Sequence, residues 1–365
     1  MPDSGIRLQL MLGPTVPLPA PAEVMDALTS LEVTNRDKGF DGFTILFNLG
    51  RDSVSDYGLL KQGCLDPPNR VIITMIINGL PQVLIDGAIT RHQVVSSNRP
   101  GESTLQVLGK DISFMLDLEE KNSTYPNQSD STIVTTILAR YARFGLVPAV
   151  RPTTDNPVQT ERVPTQQETD LKFIRMLAGR NGFVFYIEPT APGVNTAYWG
   201  PENRLGQPQP ALAINIGPDS NMDSPLTSGY DAEAPEEPQV KIVEPNTKIA
   251  IPVPLPDSLV PSLSGSPAKP LRKTIPRDTA NLSMIQAVLR AVMAQGASSE
   301  TTKAEGEVDA MRYGQVLRSR RLVKVQGAGG KYAGSWYVSE VTHRIKRGEY
   351  KQKFTLVREG LGAKA

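Results

Sequence analysis

The side chains able to do chemistry are few, and their spacing argues against most reactions. The chain has two histidines, His92 and His343, and one cysteine, Cys64. That inventory allows neither an H-E-x-x-H helix nor a cysteine-based zinc site, and a lone thiol excludes an intramolecular disulfide framework. No G-x-S-x-G elbow occurs, and His343 lies in a strand-like pattern where a hydrogen-bonded structural histidine is expected. Gly327-Ala328-Gly329-Gly330 superficially resembles a phosphate loop. It lacks G-K-[ST], is followed by Lys331-Tyr332 and a β pattern, and opens no helix, so it reads as a hairpin loop. Glu119-Glu120 and Glu236-Glu237 sit in polar stretches, where carboxylate pairs are ordinarily solvated. The expectation is a protein that is not an enzyme, with no catalytic, metal or cofactor site and no cofactor.

One charge feature stands out. Between Asp309 and Arg358 there are twelve Lys/Arg, opposed within that span only by Asp309, Glu340 and Glu349. Three readings are open: a solvated face, an electrostatic match to an acidic protein, or a lining that meets nucleic acid in transit. Nothing in the stretch resembles aromatic stacking along a basic groove, which weakens the last. The residues expected at a partner interface are Arg318, Arg320, Lys324, Arg344 and Lys346. If Gln315–Val325 is a strand, alternation puts Arg318 and Arg320 outward and Leu317, Arg321, Val323 and Val325 inward. Arg321 breaks the apolar side, so a structural role is expected for it and a partner-facing one for Arg318 and Arg320.

The elements that must position these residues fall into blocks. At 365 residues the chain exceeds the ~250–300 at which single cores stop growing, so more than one domain is expected. A net charge of +1 gives no global case for nucleic acid or an acidic membrane. No apolar run approaches ~18 residues, and Met1-Pro2-Asp3-Ser4 does not begin a secretory signal, so synthesis in the cytoplasm without a membrane span is expected. Pro14, Pro17, Pro19 and Pro21 make an extended arm. Ser30–Thr34, Phe43–Leu49, Arg70–Ile77, Gln82–His92 and Ser103–Leu108 read as strands, with a turn at Asn78-Gly79. Val71–Ile77 is almost wholly apolar and should be buried on both faces. Together they form a small antiparallel barrel or sandwich.

An α+β block follows. Asp111–Leu118 reads as a short helix, and Asp130 caps another carrying Ile133, Val134, Ile137, Leu138 and Tyr141 on one face, stopped by Gly145. Thr165 and Glu168 have capping-box spacing, Leu171, Ile174, Leu177 and Ala178 make an apolar stripe, and Asn181-Gly182 ends the helix. Phe183–Ile187 is then a buried strand. From Pro189 to Pro276 the chain holds more than half of its 31 prolines, a density expected to exclude helix and central strand and to favour polyproline or irregular backbone. Ala211–Ile216 and Val240–Val243 are candidate strands within it. The segment reads as a linker or as an arm wrapping a neighbouring subunit. Ala280–Gln295 is an amphipathic helix and Gly296–Gly306 a loop. Gln315–Val325, Ser335–Arg344 and Gln352–Arg358 are strands of a second β-domain.

Four motifs, in order, carry a family resemblance. They are Leu105-Gln-Val-Leu-Gly-Lys-Asp111, then Ala139-Arg-Tyr-Ala-Arg-Phe-Gly145, then Gln-x-x-Thr-Asp-Leu-x-Phe-Ile-x-x-Leu-Ala-x-x-Asn-Gly-Phe from Gln166 to Phe183. The fourth is Gly334-Ser-Trp-Tyr-Val-Ser-Glu-Val-Thr-His343 with Tyr350-Lys-Gln-Lys-Phe-Thr-Leu356. The chain thereby resembles the baseplate hub proteins of contractile tails and injection systems: phage late-control gene D proteins, the T4-type hub and the N-terminal region of VgrG. The resemblance implies an α+β, mostly β fold with two tube-protein-like antiparallel β-barrel domains flanking a small α+β domain; the proline-rich insertion is this chain's own and not part of the family's common pattern. The implied division is 1–110 first tube-like β-domain, 111–188 α+β domain, 189–279 proline-rich segment, and 280–365 helix and second tube-like β-domain. It further implies a virion or injection-particle baseplate. There a homotrimer would adapt a hexameric tail tube to a trimeric spike and meet other baseplate proteins, with DNA or protein cargo passing through. Because the sequence ends at Ala365 without a spike repeat, the spike is expected to be a separate polypeptide. A peptidoglycan-acting enzyme and a free-standing β-rich adhesin remain the alternatives.

Overall fold

Alternation of burial along the strands builds one large sheet. A computed structural model describes residues 5–53, 56–99, 101–153, 155, 157–160, 163–243, 250–253, 261–275 and 300–364, and residues 288, 292 and 295 singly. Leu28–Arg36 sends Leu31, Val33 and Asn35 inward while Glu32 stays exposed, and Thr104–Asp111 alternates along its whole length. Arg70–Ile77 is buried on both faces, as its apolar run requires. Sheet order then follows from antiparallel neighbours: Ile6–Gly13, Arg70–Ile77, Leu80–Val95, Thr104–Asp111, Gly42–Asn48 and Leu28–Arg36. Ile6–Gly13 is an additional strand with Ile6, Leu8, Leu10 and Leu12 at period two. The proline arm behind it pairs back only at Leu18–Pro19 and leads into a short helix, Ala22–Ala27.

The N-terminal and C-terminal β-regions meet edge to edge. Gly334–Lys346 pairs antiparallel with Leu28–Arg36, from Glu340↔Arg36 to Lys346↔Ser30. Beyond it lie Glu349–Arg358, Thr302–Asp309 and Thr227–Tyr230. The first hydrophobic core accordingly includes Ile345 and Tyr350 beside Val33, Ile45 and Phe47, while a second β core gathers Val308, Leu317, Trp336 and Phe354. The chain is mostly β with a small α+β part, in agreement with the expected fold class.

Several local expectations change. Thr302–Asp309 is a strand where a loop was expected. Its inward positions include Ala304 and Gly306, too small to register as an apolar stripe, and a Cβ on Gly306 would lie 2.9 Å from the Phe354 ring. The strand expected over Gln315–Val325 shortens to Leu322–Gln326. Before it come a one-turn helix, Ala310–Tyr313, stopped by Gly314 at φ 76°, and an irregular segment held by side chains: Gln352 Oε1 accepts from Leu317 N at 2.7 Å. The helix expected over Ala280–Gln295 lies outside the described residues except for positions 288, 292 and 295, which are helical.

In the α+β part, helix Asp170–Arg180 is capped by Thr169, whose hydroxyl accepts from Lys172 N, and not by Thr165. Thr165–Gln166 instead pairs with Ser123–Thr124, because the Gln166 side chain is buried between Tyr125 and Asp170. Ser129, not Asp130, caps Asp130–Ala139. Asp130 is buried and binds Arg180, and that helix ends before a 3-10 turn closed by Gly145. Val194–Gly200 is the central strand of a three-stranded sheet between Leu146–Val150 and Val184–Ala191. Central strand is therefore compatible with the proline-rich region, where Pro189, Pro192 and Pro201 flank the strand and none interrupts it. The division expected at Glu188 falls inside Val184–Ala191. Further on, Gln209–Ala213 pairs parallel with Leu322–Gln326, Val240–Val243 pairs with Ala250–Val253, and Ser264–Pro267 pairs with Gly360–Ala363.

Candidate functional site: buried arginine joints and an exposed basic face

Three arginines lock the blocks together. Arg70, at the start of its strand, forks onto Asp86 with Nε–Oδ1 at 2.7 Å and Nη2–Oδ2 at 2.6 Å. Its Nη2 also donates to Phe144 O at 2.8 Å, and Asn195 Nδ2 donates to Asp86 Oδ2 at 2.8 Å. This bidentate pair, with both side chains almost wholly inaccessible, ties the first sheet to the α+β block.

Arg320 makes the second joint. Its Nη2 and Nη1 donate to Asp41 at 2.7 and 3.1 Å, Nη2 also reaches Arg36 O, and the guanidinium lies 4.5 Å from the Tyr186 ring centroid. Asp41 N in turn donates to Asp111 Oδ2 at 2.9 Å. Burial and the neighbouring Asp41 push the Asp111 carboxyl up to about 6. The joint holds Arg320 in the left-handed region at φ 61°, a conformation that costs a non-glycine residue ~1 kcal/mol or more.

Arg204 makes the third, binding Glu300 at 2.6 Å and Glu202 at 3.2 Å beneath the Tyr337 ring. Lys38 reaches Glu300 from the other side at 3.3 Å. Carboxylate oxygens of Asp37, Glu202 and Glu300 lie within 4.8 Å of one another, and Asp37 Oδ2 is buried without a hydrogen-bond partner. Two cations therefore serve three acids, and Asp37 is the acid left over. Burial pushes its carboxyl up to about 6; Lys38 opposes this, while Glu300 and Glu202 add to it.

This has a pH consequence. Between the unfolded value near 3.8 and about 6 the folded chain holds more protons than the unfolded one, so stability from Asp37 is full below that window. It is lost as pH rises through about 6. Asp37→Asn should raise Tm at pH 7.5 and leave it close to the parent's at pH 4.5, as read from paired thermal melts. A lower Tm for the variant at pH 7.5 would show that Arg204 or Lys38 holds the carboxylate charged.

The residues expected at a partner interface separate into two groups. Arg320 is not outward; it is the joint just described. Arg318 is half-buried, with Nη1 donating to Val83 O at 2.5 Å and its backbone clasped by the Gln209 side chain. Arg321, expected to be structural, is half-exposed and pairs with Glu188 at 2.7 Å. The outward and inward assignments are thus reversed at Arg320 and Arg321, because residues 315–321 are not a strand. Lys324, Arg344 and Lys346 are exposed. Arg344 and Lys346 share one side of one strand, with Arg344 3.3 Å from Glu32 and 4.0 Å from Glu307. Lys324 pairs in register with Ser335, about 30 Å along that strand from Arg344 at ~3.3 Å per residue, so the three do not form a single cluster.

His343 is fully buried, with Nδ1 3.0 Å from Tyr350 Oη, and burial followed by the Arg318 charge pushes its pKa down to about 3. It is a neutral core residue, as its strand pattern implies. Gly327 and Gly329, at φ 79° and 77°, turn the chain between Leu322–Gln326 and Gly334–Lys346, so the glycine run is a hairpin loop.

With this geometry in hand, the chain can be compared with solved structures. The tail protein of Neisseria meningitidis MC58 has a TM-score of 0.62 at 13% identity, with 98% of each chain covered. The 43 kDa tail protein of prophage MuSo2 from Shewanella oneidensis has 0.63 at 13% identity, covering 97% of this chain and 99% of that one. An E. coli type VI secretion component, described as structurally similar to the bacteriophage T4 tail proteins gp27 and gp5, has 0.55 at 15% identity, covering 93% and 76%. No family model and no curated protein matches the sequence. The chain therefore has the fold of phage tail proteins and of the type VI secretion component that shares it, as the four sequence motifs lead one to expect.

Proposed function

We propose that this chain is a structural baseplate hub subunit. Three copies adapt a hexameric tail tube to a trimeric spike, in a phage tail or a phage-derived injection particle. The observation that carries the reading is the continuous sheet that joins two β-regions of one chain, in a fold matching phage tail proteins over 97–98% of its length. That sheet has an open end. Arg91–Val95 pairs with Thr104–Leu108 on one side, and among the described residues no strand covers the other. Val94 and Val95 are exposed there, 36% and 53%, so an adjoining copy would find both backbone and apolar partners.

The role is one of assembly and not catalysis, and DNA or protein cargo passes through the ring. Lys324, Arg344 and Lys346 are among the outward cations that can meet acidic tube or spike surfaces, Arg344 by exchanging its exposed pair with Glu32, with attachment weakening as salt rises. Light scattering on the purified chain tests the reading. Three copies of 39.7 kDa give about 119 kDa. A clean 39.7 kDa species at micromolar concentration, even with tube and spike proteins present, would overturn it.

A further inference from the structure

Arg318 differs from the three joint arginines. Arg70, Arg204 and Arg320 each have a carboxylate at 2.6–2.7 Å, whereas Arg318 has none within ion-pair distance among the described residues. Among the described residues its one side-chain hydrogen bond is to a carbonyl, and burial lowers its pKa from the ordinary guanidinium value. A half-buried cation answered only by a carbonyl leaves its remaining N–H groups seeking an anion.

Arg318 lines a cleft of about 460 Å³, between the Leu80–Val95 strand, the end of Val184–Ala191, residues 207–210 and residues 315–321. Arg321 stands on its lining with Glu188, so two cations there meet one acid. Three other lining side chains, Gln82, Gln207 and Gln315, make no hydrogen bond within the described residues. Each carboxamide offers both a donor and an acceptor, as a peptide backbone requires. The Gln209 side chain is already consumed in fixing the Arg318 backbone in both directions, at 2.7 and 2.9 Å, so the guanidinium is presented from a rigid base. The volume lies within the ~300–1,000 Å³ of small-ligand clefts.

We propose that this cleft receives an extended acidic peptide segment of a partner protein. An aspartate or glutamate carboxylate sits on Arg318, and the glutamine carboxamides meet the peptide backbone. Glu188 is the internal competitor: it holds Arg321 until an incoming carboxylate shares that guanidinium. This deepens the acidic-partner half of the proposed function and rests on it, but not on the trimer.

The test uses the full chain alone and a fluorescein-labelled Gly-Gly-Asp-Glu-Gly-Gly peptide, followed by polarisation, with a Gly-Gly-Asn-Gln-Gly-Gly control. Saturable binding of the acidic peptide that weakens with salt is expected, with the neutral peptide bound at least roughly tenfold more weakly, the range of a charge-assisted pair. Arg318→Gln should cost a similar factor, with folding checked by its melt. Glu188→Gln should tighten binding a few-fold, an effect that misfolding cannot produce. Equal binding of the two peptides overturns the proposal, as does loss of binding in Glu188→Gln or full binding by folded Arg318→Gln. Competition by inorganic phosphate at peptide-like concentrations would make this a general anion site and overturn the peptide assignment. A monomer by light scattering with intact peptide binding would sink the trimer and leave this site standing.

Discussion

Arg320→Leu should lower the folding stability of this chain by about 3–5 kcal/mol, the cost of removing one partner of a buried ion pair. The leucine would fill some of the space but leave Asp41 facing Asp111 with no cation between them. Asp41 is 2% exposed, and its carboxylate already accepts from Arg36 N at 2.8 Å, so it cannot turn toward water. Arg321→Leu is the internal control. Its pair with Glu188 is solvent-exposed, and such pairs are worth about 0–1 kcal/mol. Urea titration of both variants measures the difference, and adding Asp41→Asn to Arg320→Leu should recover part of the loss because the two residues are coupled. Equal, small effects at 320 and 321 would mean the second joint does not carry the fold.

Leu177→Ala should cost about 2–5 kcal/mol and compromise assembly with it. Leu177 is 0% exposed on helix Asp170–Arg180, in a core with Ile137, Ile174 and Trp199. The Trp199 indole donates to Ile174 O at 3.2 Å, so the surrounding frame is pinned and a cavity there relaxes poorly. Arg175, on the polar side by helical spacing, is a poor neutral control: it donates to Gly39 O at 3.0 Å and lies 4.3 Å from the Phe40 ring centroid. Lys172, exposed on the same helix, should change stability by less than about 0.5 kcal/mol on substitution by alanine. Denaturant melts that rank Lys172→Ala beside Leu177→Ala would show the helix face to be misassigned.

What was legible in the sequence depended on how local the cause was. Arg70–Ile77 was readable to the residue because the almost wholly apolar, β-branched-rich run Val71–Ile77 has one comfortable place, between two layers. Ile6–Gly13 carries its strand signal as plain alternation, with Ile6, Leu8, Leu10 and Leu12 at period two. Thr302–Asp309 does not, since its inward positions include alanine and glycine and its space is filled by Phe354 and Met222 from elsewhere. Capping-box spacing singled out Thr165 with Glu168, whereas Thr169 has Lys172 three positions on; the burial of Gln166 moves the helix start to Thr169. The basic stretch misled for a similar reason. Counted locally, its cations had almost no acids; in the fold, Asp41, Glu188, Glu32, Glu307 and Asp223 arrive from other segments, Asp41 from 279 positions away. A charge count over fifty residues cannot see partners that a sheet brings across the whole chain.

That long-range sheet also sets a timetable for birth on the ribosome. Arg36 and Glu340, which face each other where Leu28–Arg36 meets Gly334–Lys346, are separated by 304 positions. At roughly 5–20 residues per second, the first strand waits about 15–60 s for its partner to be synthesised. Throughout that interval one edge of the nascent N-terminal sheet has no native neighbour, and chains emerging side by side on one message could pair there with each other. The charged residues spaced along it, Glu32 and Arg36, are of the kind that discourage such pairing. Their later ion pairs with Arg344 and Glu340 then turn the same charges from guards into fasteners.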